Sequence, residues 1–391
     1  MIKLIESTFY REQETRRKLS EFITTNNNLS MDAMCRQFEK EFSKIQKRKN
    51  AVFTSSGSAA NLILIQSLLN LGLIKKGDSI GVSSLTWATN VMPLIQLGLK
   101  PILMDCEIKN LNTSKRILVE TNEKFMLKAV FLTNVLGLSS DIDKIQSFCQ
   151  KNKILLLEDN CESLGSKVGK KLLGNFGFAS TFSYFVGHHL STIEGGMVCT
   201  DNKELAEMLK LVRAHGWDRN LSNRAKTKMR RKFGIDKFYG LYTMYDLAYN
   251  VRPNELQGFI GTEQIKYLDE IVRKRAANFE KFQEAAKDND DIIALDTDHM
   301  DLVSNFAMPV IFKTKNLCDR YKKRFVKNNV EIRPIIAGDI SKQPFFKKYI
   351  RNKFDCKNAS FIHNNGFYFG NNPEMSKKVV KTLCSLLKKI T

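Results

Sequence analysis

The sequence predicts an α/β fold built on a mostly parallel sheet, and three observations lead there. Short all-apolar runs, such as Ala51-Val52-Phe53 and Ile154-Leu155-Leu156-Leu157, read as strands buried on both faces. Longer segments with helical periodicity alternate with them. Turn residues separate the two, as in Thr54-Ser55-Ser56-Gly57-Ser58. Such alternation marks a parallel sheet covered by helices on both sides. With 391 residues, of which 43% are hydrophobic and 26% charged, the chain has material for a sizeable core and two domains.

Taken in order, residues 31–48 form an amphipathic helix, with Met34, Phe38, Phe42 and Ile45 on one face. Residues 51–53 are a strand, 59–71 an apolar helix, 79–82 a strand, 87–97 a helix and 100–104 a strand. Residues 128–132 are a strand, 141–151 a helix and 154–157 a strand. Two more strands follow, 180–185 and 196–200, and the chain turns helical after Glu204. Residues 219–237 are basic and read as irregular. A second, smaller α+β region begins near Asn250, so the division is 1–249 and 250–391. It holds a long helix over 264–287 and ends in one over 375–390.

Charge narrows the partners only broadly. Lys plus Arg number 62 and Asp plus Glu 41, a formal net charge of +21 that favours polyanions or phosphorylated small molecules. The most basic run, Arg224 to Lys232, has only Phe233 and Phe238 beside it. That is poor interleaving for a nucleic-acid stacking platform, so no nucleic-acid role is expected. The N-terminus lacks a signal-peptide apolar core, and the most apolar stretch, 61–74, is too short and too polar to span a bilayer. The eight cysteines include no C-x-x-C pair, which argues against a zinc ribbon or a disulfide framework. A cytoplasmic protein without membrane association is expected.

In open parallel sheets, ligands bind beyond the carboxyl ends of the strands. The residues placed there are Ser56-Gly57-Ser58, Ser84 to Trp87, Asn134, Glu158-Asp159 and Ser183 to His189. Gly57-Ser58 opens a helix, where backbone N–H groups and a hydroxyl suit a phosphate, though many such turns bind nothing. Trp87 can stack on a flat ring or sit in the core. Asp159 ends a deeply buried strand, so its carboxylate must be paired, metal-bound or functional. One solution is to keep a pyridine nitrogen protonated, with Glu162 reaching the same ring's hydroxyl. An Asp/Glu metal site completed by His188 and His189 is the alternative. It is disfavoured because adjacent His side chains diverge, and no metal is expected. Gly165 to Lys170 reads G-x-x-x-G-K and is not a P-loop, because it is one residue short and Lys171 replaces Ser/Thr.

Five segments, in order, carry a resemblance: Thr54-Ser55-Ser56-Gly57-Ser58-Ala59-Ala60-Asn61, Glu158-Asp159-Asn160-Cys161-Glu162-Ser163, Ser183-Tyr184-Phe185-Val186-Gly187-His188-His189, Glu194-Gly195-Gly196 and Tyr249-Asn250-Val251-Arg252. Together they resemble the nucleotide-sugar aminotransferase family of pyridoxal-phosphate enzymes, fold type I, also called DegT/StrS. The likeness runs from about residue 30 to the C-terminus. One departure is informative: the family's Schiff-base lysine, five residues after the Ser of S-F-x-x-x-K, is here His188. That exchange is similar to a branch that removes the C3 hydroxyl of 4-keto-6-deoxy sugars, the colitose-pathway 3-dehydratases. Arg333-Pro334-Ile335-Ile336-Ala337-Gly338-Asp339-Ile340-Ser341-Lys342-Gln343-Pro344 is similar to that branch's R-P-x-x-A-G-N-x-x-K-Q-P segment.

The resemblance implies pyridoxal phosphate and its amine form, pyridoxamine phosphate, held noncovalently, with L-glutamate as amino donor. It implies a GDP-linked 4-keto-6-deoxy hexose or heptose as substrate and a role in making 3,6-dideoxy sugars of surface polysaccharide. His188 would be the acid/base. Gly57, Ser58 and Ser183 would hold the phosphate, Trp87 the ring face, Asp159 the ring nitrogen and Glu162 the ring hydroxyl. Asn250 would reach the phosphate of a neighbouring subunit in a homodimer with shared sites, and Arg252 and Arg333 would meet substrate. A related branch acting on CDP-sugars carries a [2Fe–2S] cluster, which needs grouped cysteines. Trp217 to Ser222, where those lie, contains none, so no iron–sulfur cluster is expected. A plain 4-aminotransferase is the rival reading. The basic segment 219–237 is expected near the nucleotide end of the site.

Overall fold

The computed structural model describes residues 1–390. Its central sheet has seven strands: β1 (Asn50–Thr54), β2 (Ser79–Ser83), β3 (Lys100–Met104), β4 (Ala129–Thr133), β5 (Leu155–Asp159), β8 (Ala179–Ser183) and β9 (Gly196–Thr200). The short β6 (Lys167–Val168) and β7 (Lys171–Leu172) lie outside it. The order is β1-β9-β8-β5-β4-β2-β3. Pairings within β8-β5-β4-β2-β3 are parallel, whereas β9 runs antiparallel to both β1 and β8. The expected mostly parallel sheet is therefore present, with β9 as its reversed strand.

Helices α1 (Glu12–Thr25), α2 (Ala33–Ile45), α3 (Gly57–Asn70), α4 (Met92–Gln96), α5 (Lys115–Phe125), α6 (Ile142–Lys151), α7 (Lys203–Val212) and α8 (Asn223–Phe233) belong to the first part of the chain. Polar caps fix several starts: Ser56, Ser114 and Asn202 each accept the N–H three residues on. Strand alternation divides the core. Ala129 and Phe131 of β4 face the cluster around α3, while Val130 and Leu132 face the one under α5 and α6. A third, aromatic cluster joins Phe38 and Phe42 of α2 to Phe53, Phe182 and Tyr184. Beneath it Arg213, 1% exposed, bonds both Glu39 Oε1 and the Phe53 carbonyl, each at 2.6 Å.

Beyond residue 250 come α9 (Glu255–Gln264), α10 (Leu268–Ala286), α11 (Lys315–Lys327), α12 (Pro344–Tyr349), α13 (Lys357–Asn365) and α14 (Lys377–Leu387). Strand β10 (Met300–Leu302) extends the β6–β7 pair, and β11 (Ala307–Ile311), β12 (Ile332–Arg333) and β13 (Gly366–Gly370) make an antiparallel sheet ordered β11-β13-β12. The N-terminal residues join this sheet's edge, since Ile2 bridges Val330.

Three expectations need correction. The helix predicted over 87–97 is instead a 3-10 turn, Ala88–Asn90, followed by α4. Pro93 lies in the first turn of α4 and cannot sit inside a continuous helix. The stretch 219–237, read as irregular, contains α8, capped by Ser222 and ended by Gly234 at φ 66°. It buries no residue, so it has no apolar stripe to betray it. Third, helices α1, α5, α9, α11, α12 and α13 are not among the expected elements. In α9, Gly258 and Gly261 are poor helix formers. They are present because an added Cβ would stand 2.5 Å from the Cys35 amide and 2.7 Å from Phe38, so α9 packs directly on α2.

Candidate active site

The carboxyl ends of β1, β4, β5 and β8 bring most of the expected residues to one place. Asp159, 4% exposed, ends β5. Its Oδ2 accepts from Asn61 Nδ2 at 3.0 Å and Asn90 Nδ2 at 2.8 Å, and its Oδ1 from the Cys161 amide at 2.9 Å. These three donors aim the carboxylate without neutralising it. Neither Asn was singled out for this task from the sequence. Asn61 did leave a signal, being a polar residue inside the apolar α3 that has to find a buried partner. Both have an unpaired buried Oδ1.

Glu158 points away from the site. It is fully buried and accepts the amides of Gly174, Phe176 and Gly177, which fixes the loop after β7. Glu162 accepts the Leu136 amide at 2.8 Å. Burial pushes its carboxyl up to about 8, that bond opposing and Asp159 adding to the rise. It is therefore a proton-bearing acid at neutral pH, able to donate a hydrogen bond.

Where β1 meets α3, Ser56 Oγ caps the Ala59 amide and the Ser56 carbonyl takes that of Ala60. A helix start leaves its first N–H groups without intrahelical partners, here those of Gly57 and Ser58. Ser58 is exposed, and Ser183 stands so close that a Cβ at Gly57 would lie 3.0 Å from its Oγ. Trp87 is 55% exposed at the mouth of β2, a poor core position but a suitable stacking platform. The segment 333–344 reaches the same mouth, since the Ile340 amide bonds the Ser84 carbonyl and Asp339 bridges Leu85.

His188 lies in the hairpin between β8 and β9, its own amide bonded to the Phe185 carbonyl. Its ring packs edge-on against Phe306 at 5.3 Å, and its Nδ1 is buried and unpaired. Burial lowers its pKa to about 4, with Asp159 opposing and Arg275 reinforcing the shift. His188 is thus neutral and able to accept a proton near pH 7. His189 turns the other way, its Nε2 3.1 Å from the Ser304 carbonyl.

Three expected residues lie apart from this group. Asn250 is exposed and bonded by Arg252 Nε at 3.0 Å. Their segment nonetheless borders the phosphate turn, because the Ser55 amide bonds the Val251 carbonyl. Arg333 pairs with Glu331 on the outer sheet. In the basic segment, Arg230 is committed to Asp218 at 2.7 Å, and Arg219 stacks between Trp217 and Tyr242. Those two cations are therefore part of the local architecture.

Together the residues fit a phosphorylated pyridine. A helix start beside Ser183 suits the phosphate, an exposed Trp the ring face, and an aimed carboxylate the ring nitrogen. The unpaired Asn61 and Asn90 oxygens and His188 Nδ1 leave polar capacity for a bound molecule. No helix is long and apolar enough to cross a membrane among the described residues.

Comparison with known proteins agrees. Residues 10–388 match the DegT/DnrJ/EryC1/StrS aminotransferase family. GDP-4-keto-6-deoxy-D-mannose 3-dehydratase of Escherichia coli is 35% identical over 90% of this chain and 92% of its own length. The enzyme of that name from Yersinia pseudotuberculosis is 33% identical over 94% of each. A solved structure of the E. coli 3-dehydratase with bound hydrated PLP superposes with a TM-score of 0.91 at 32% identity, covering 99% of both chains.

Proposed function

Because the chain belongs to the DegT/DnrJ/EryC1/StrS aminotransferase family, we propose that it removes the C3 hydroxyl from a GDP-linked 4-keto-6-deoxy sugar, a hexose or a heptose. It does so with pyridoxal and pyridoxamine phosphate, taking its amino group from L-glutamate, in the making of a 3,6-dideoxy sugar for surface polysaccharide. The observation that carries this reading is His188. The hairpin between β8 and β9 contains no lysine, and a neutral imidazole with a buried, unpaired Nδ1 stands there instead. The amine form of the cofactor supplies a nucleophilic nitrogen and an electron-accepting ring.

The protein's own groups then have separate tasks. Gly57, Ser58 and Ser183 hold the phosphate, Trp87 covers the ring, and Asp159 keeps a proton on the ring nitrogen. Glu162 donates to the ring hydroxyl. His188 accepts a proton in its neutral form and delivers it to the oxygen leaving C3. Asn250 reaches the phosphate of a second subunit, Arg252 meets the glutamate carboxylate or the substrate, and Arg333 meets the substrate. A homodimer is supported by exposed apolar residues just before Asn250, among them Phe238, Tyr239, Tyr242 and Leu247. All eight cysteines are unpaired, which supports a reducing cytoplasm.

Incubation with pyridoxal phosphate, L-glutamate and a panel of GDP- and CDP-linked 4-keto sugars tests the proposal by mass spectrometry. A product one oxygen lighter than its substrate is expected from a GDP-sugar. A stable 4-amino sugar would make the chain an aminotransferase and sink the reading. His188→Asn should keep cofactor binding and lose the product.

A further inference from the structure

Arg275 is an unusual cation. It lies on α10, is 5% exposed, and has no carboxylate within ion-pair distance among the described residues. Three carbonyls from separate parts of the chain take its N–H groups instead. Nη1 donates to the Phe306 carbonyl at 3.2 Å and to that of Asn371, and Nη2 to the carbonyl of His188 at 3.3 Å. Asn371 closes the loop by donating to the Arg275 carbonyl at 2.9 Å. The guanidinium therefore ties together the His188 hairpin, the Phe306 segment that packs on the His188 ring, and the end of β13.

Carbonyl partners satisfy N–H groups but do not cancel charge. A carboxylate in the same place would hold the chain as well and would neutralise the guanidinium. Glu374 borders the same small cavity as Arg275, His188 and His189, yet its oxygens accept from Ser7 Oγ and the Arg11 amide. We propose that Arg275 is a positioning residue for the reaction, fixing the His188 backbone while leaving an uncompensated positive charge beside its imidazole. This rests on the reading of His188 as the proton-moving group.

The groups that face His188 are Asp159 from β5, Arg275 from α10, its neighbour His189, and Tyr10 and Glu374 across the cavity. Burial is the largest influence on the ring, and Arg275 acts in the same direction, disfavouring the imidazolium. Even at a depressed pKa of about 9, Arg275 remains charged at neutral pH. The device keeps the imidazole unprotonated on arrival of substrate. It also makes the imidazolium a stronger acid once a proton has been taken, as delivery to a leaving hydroxyl requires.

The test separates charge from geometry. Arg275→Gln removes the charge and keeps donors; Arg275→Lys keeps the charge and loses the fork. His188 is followed by NMR titration of the full-length, histidine-labelled protein before cofactor is added, its signal identified by its loss in His188→Asn. Arg275→Gln should raise the His188 pKa by about one unit. Arg275→Lys should leave it low but reduce kcat on the order of 10-fold, with KM within about twofold. An unmoved His188 titration in folded Arg275→Gln overturns the proposal, as does wild-type kcat in Arg275→Lys. If Arg275→Gln does not fold, the lysine variant decides alone. A wild-type enzyme that makes no deoxy sugar while the titration still shifts would sink the substrate reading and leave the role of Arg275 standing.

Discussion

An added Cβ on Gly57 would lie 2.6 Å from the Cβ of Ser183. The first residue of α3 and the last of β8, well separated in sequence, thus stand in close contact, and glycine is what permits it. Gly57→Ala must push Ser183 aside. Affinity for pyridoxal phosphate should fall by about 10-fold or more, since one displaced hydrogen bond to a charged group costs roughly 1.5–3 kcal/mol. Fluorescence titration with the cofactor measures this, and unchanged affinity would remove these two residues from the phosphate site.

Asp159 is aimed by Asn61 and Asn90, which together occupy Oδ2. Replacing Asn90 by Leu takes away one donor of similar size. Cofactor should bind about 5–30-fold more weakly, the equivalent of roughly 1–2 kcal/mol. Equilibrium dialysis of Asn90→Leu is the check. Equal binding by the variant would mean that Asp159 is held well enough without Asn90.

His188 and Glu162, both desolvated, set opposite pH limits on the unliganded protein. His188 titrates near 4 in the fold against 6.5 when free, so the unfolded chain binds the extra proton and stability drops as pH falls from 6.5 toward 4. Glu162 keeps its proton to about 8 in the fold against 4.5 when free, so stability drops as pH rises from 4.5 toward 8. Glu162→Gln cannot release a proton and should lose only the second dependence. Relative to wild type, its thermal midpoint should rise between pH 5 and 8, the free-energy difference reaching on the order of 5 kcal/mol at most. Parallel midpoints across that range would show that Glu162 is not held protonated.

The pair of buried Arg213 with half-buried Glu39 should carry stability without touching the chemistry. Glu39 Oε1 also accepts the Phe53 amide at 2.8 Å, so one carboxylate ties α2 to β1 and α7. Glu39→Ala strands a buried guanidinium, a loss of about 3–5 kcal/mol. Urea unfolding should show it. A loss under about 1 kcal/mol would place the pair among weak surface bridges.

The sheet and the reacting end of the site were legible because each rests on a local signal. Buried strands are short apolar runs, and the candidate site residues are those that follow them. The replacement of a lysine by His188 needed only one position. What escaped depends on tertiary contact. α9 looks like a poor helix until α2 is laid on its two glycines. Asn90 and Arg275 carry no motif, and their partners are 69 and 96 residues away or are main-chain carbonyls. The exposed α8 had no apolar face, so only its caps could have announced it.

The reversed strand β9 has a consequence for what a substitution at position 188 can disturb. Because β8 and β9 are antiparallel neighbours, the segment bearing His188 is a hairpin rather than a crossover. Its rungs are main-chain bonds: the Tyr184 amide to the Gly195 carbonyl at 2.8 Å and the Val186 amide to that of Ile193 at 3.1 Å. None of these bonds depends on which side chain stands at 188. The position is a socket wired by backbone, so a substitution of His188 should leave the hairpin in place.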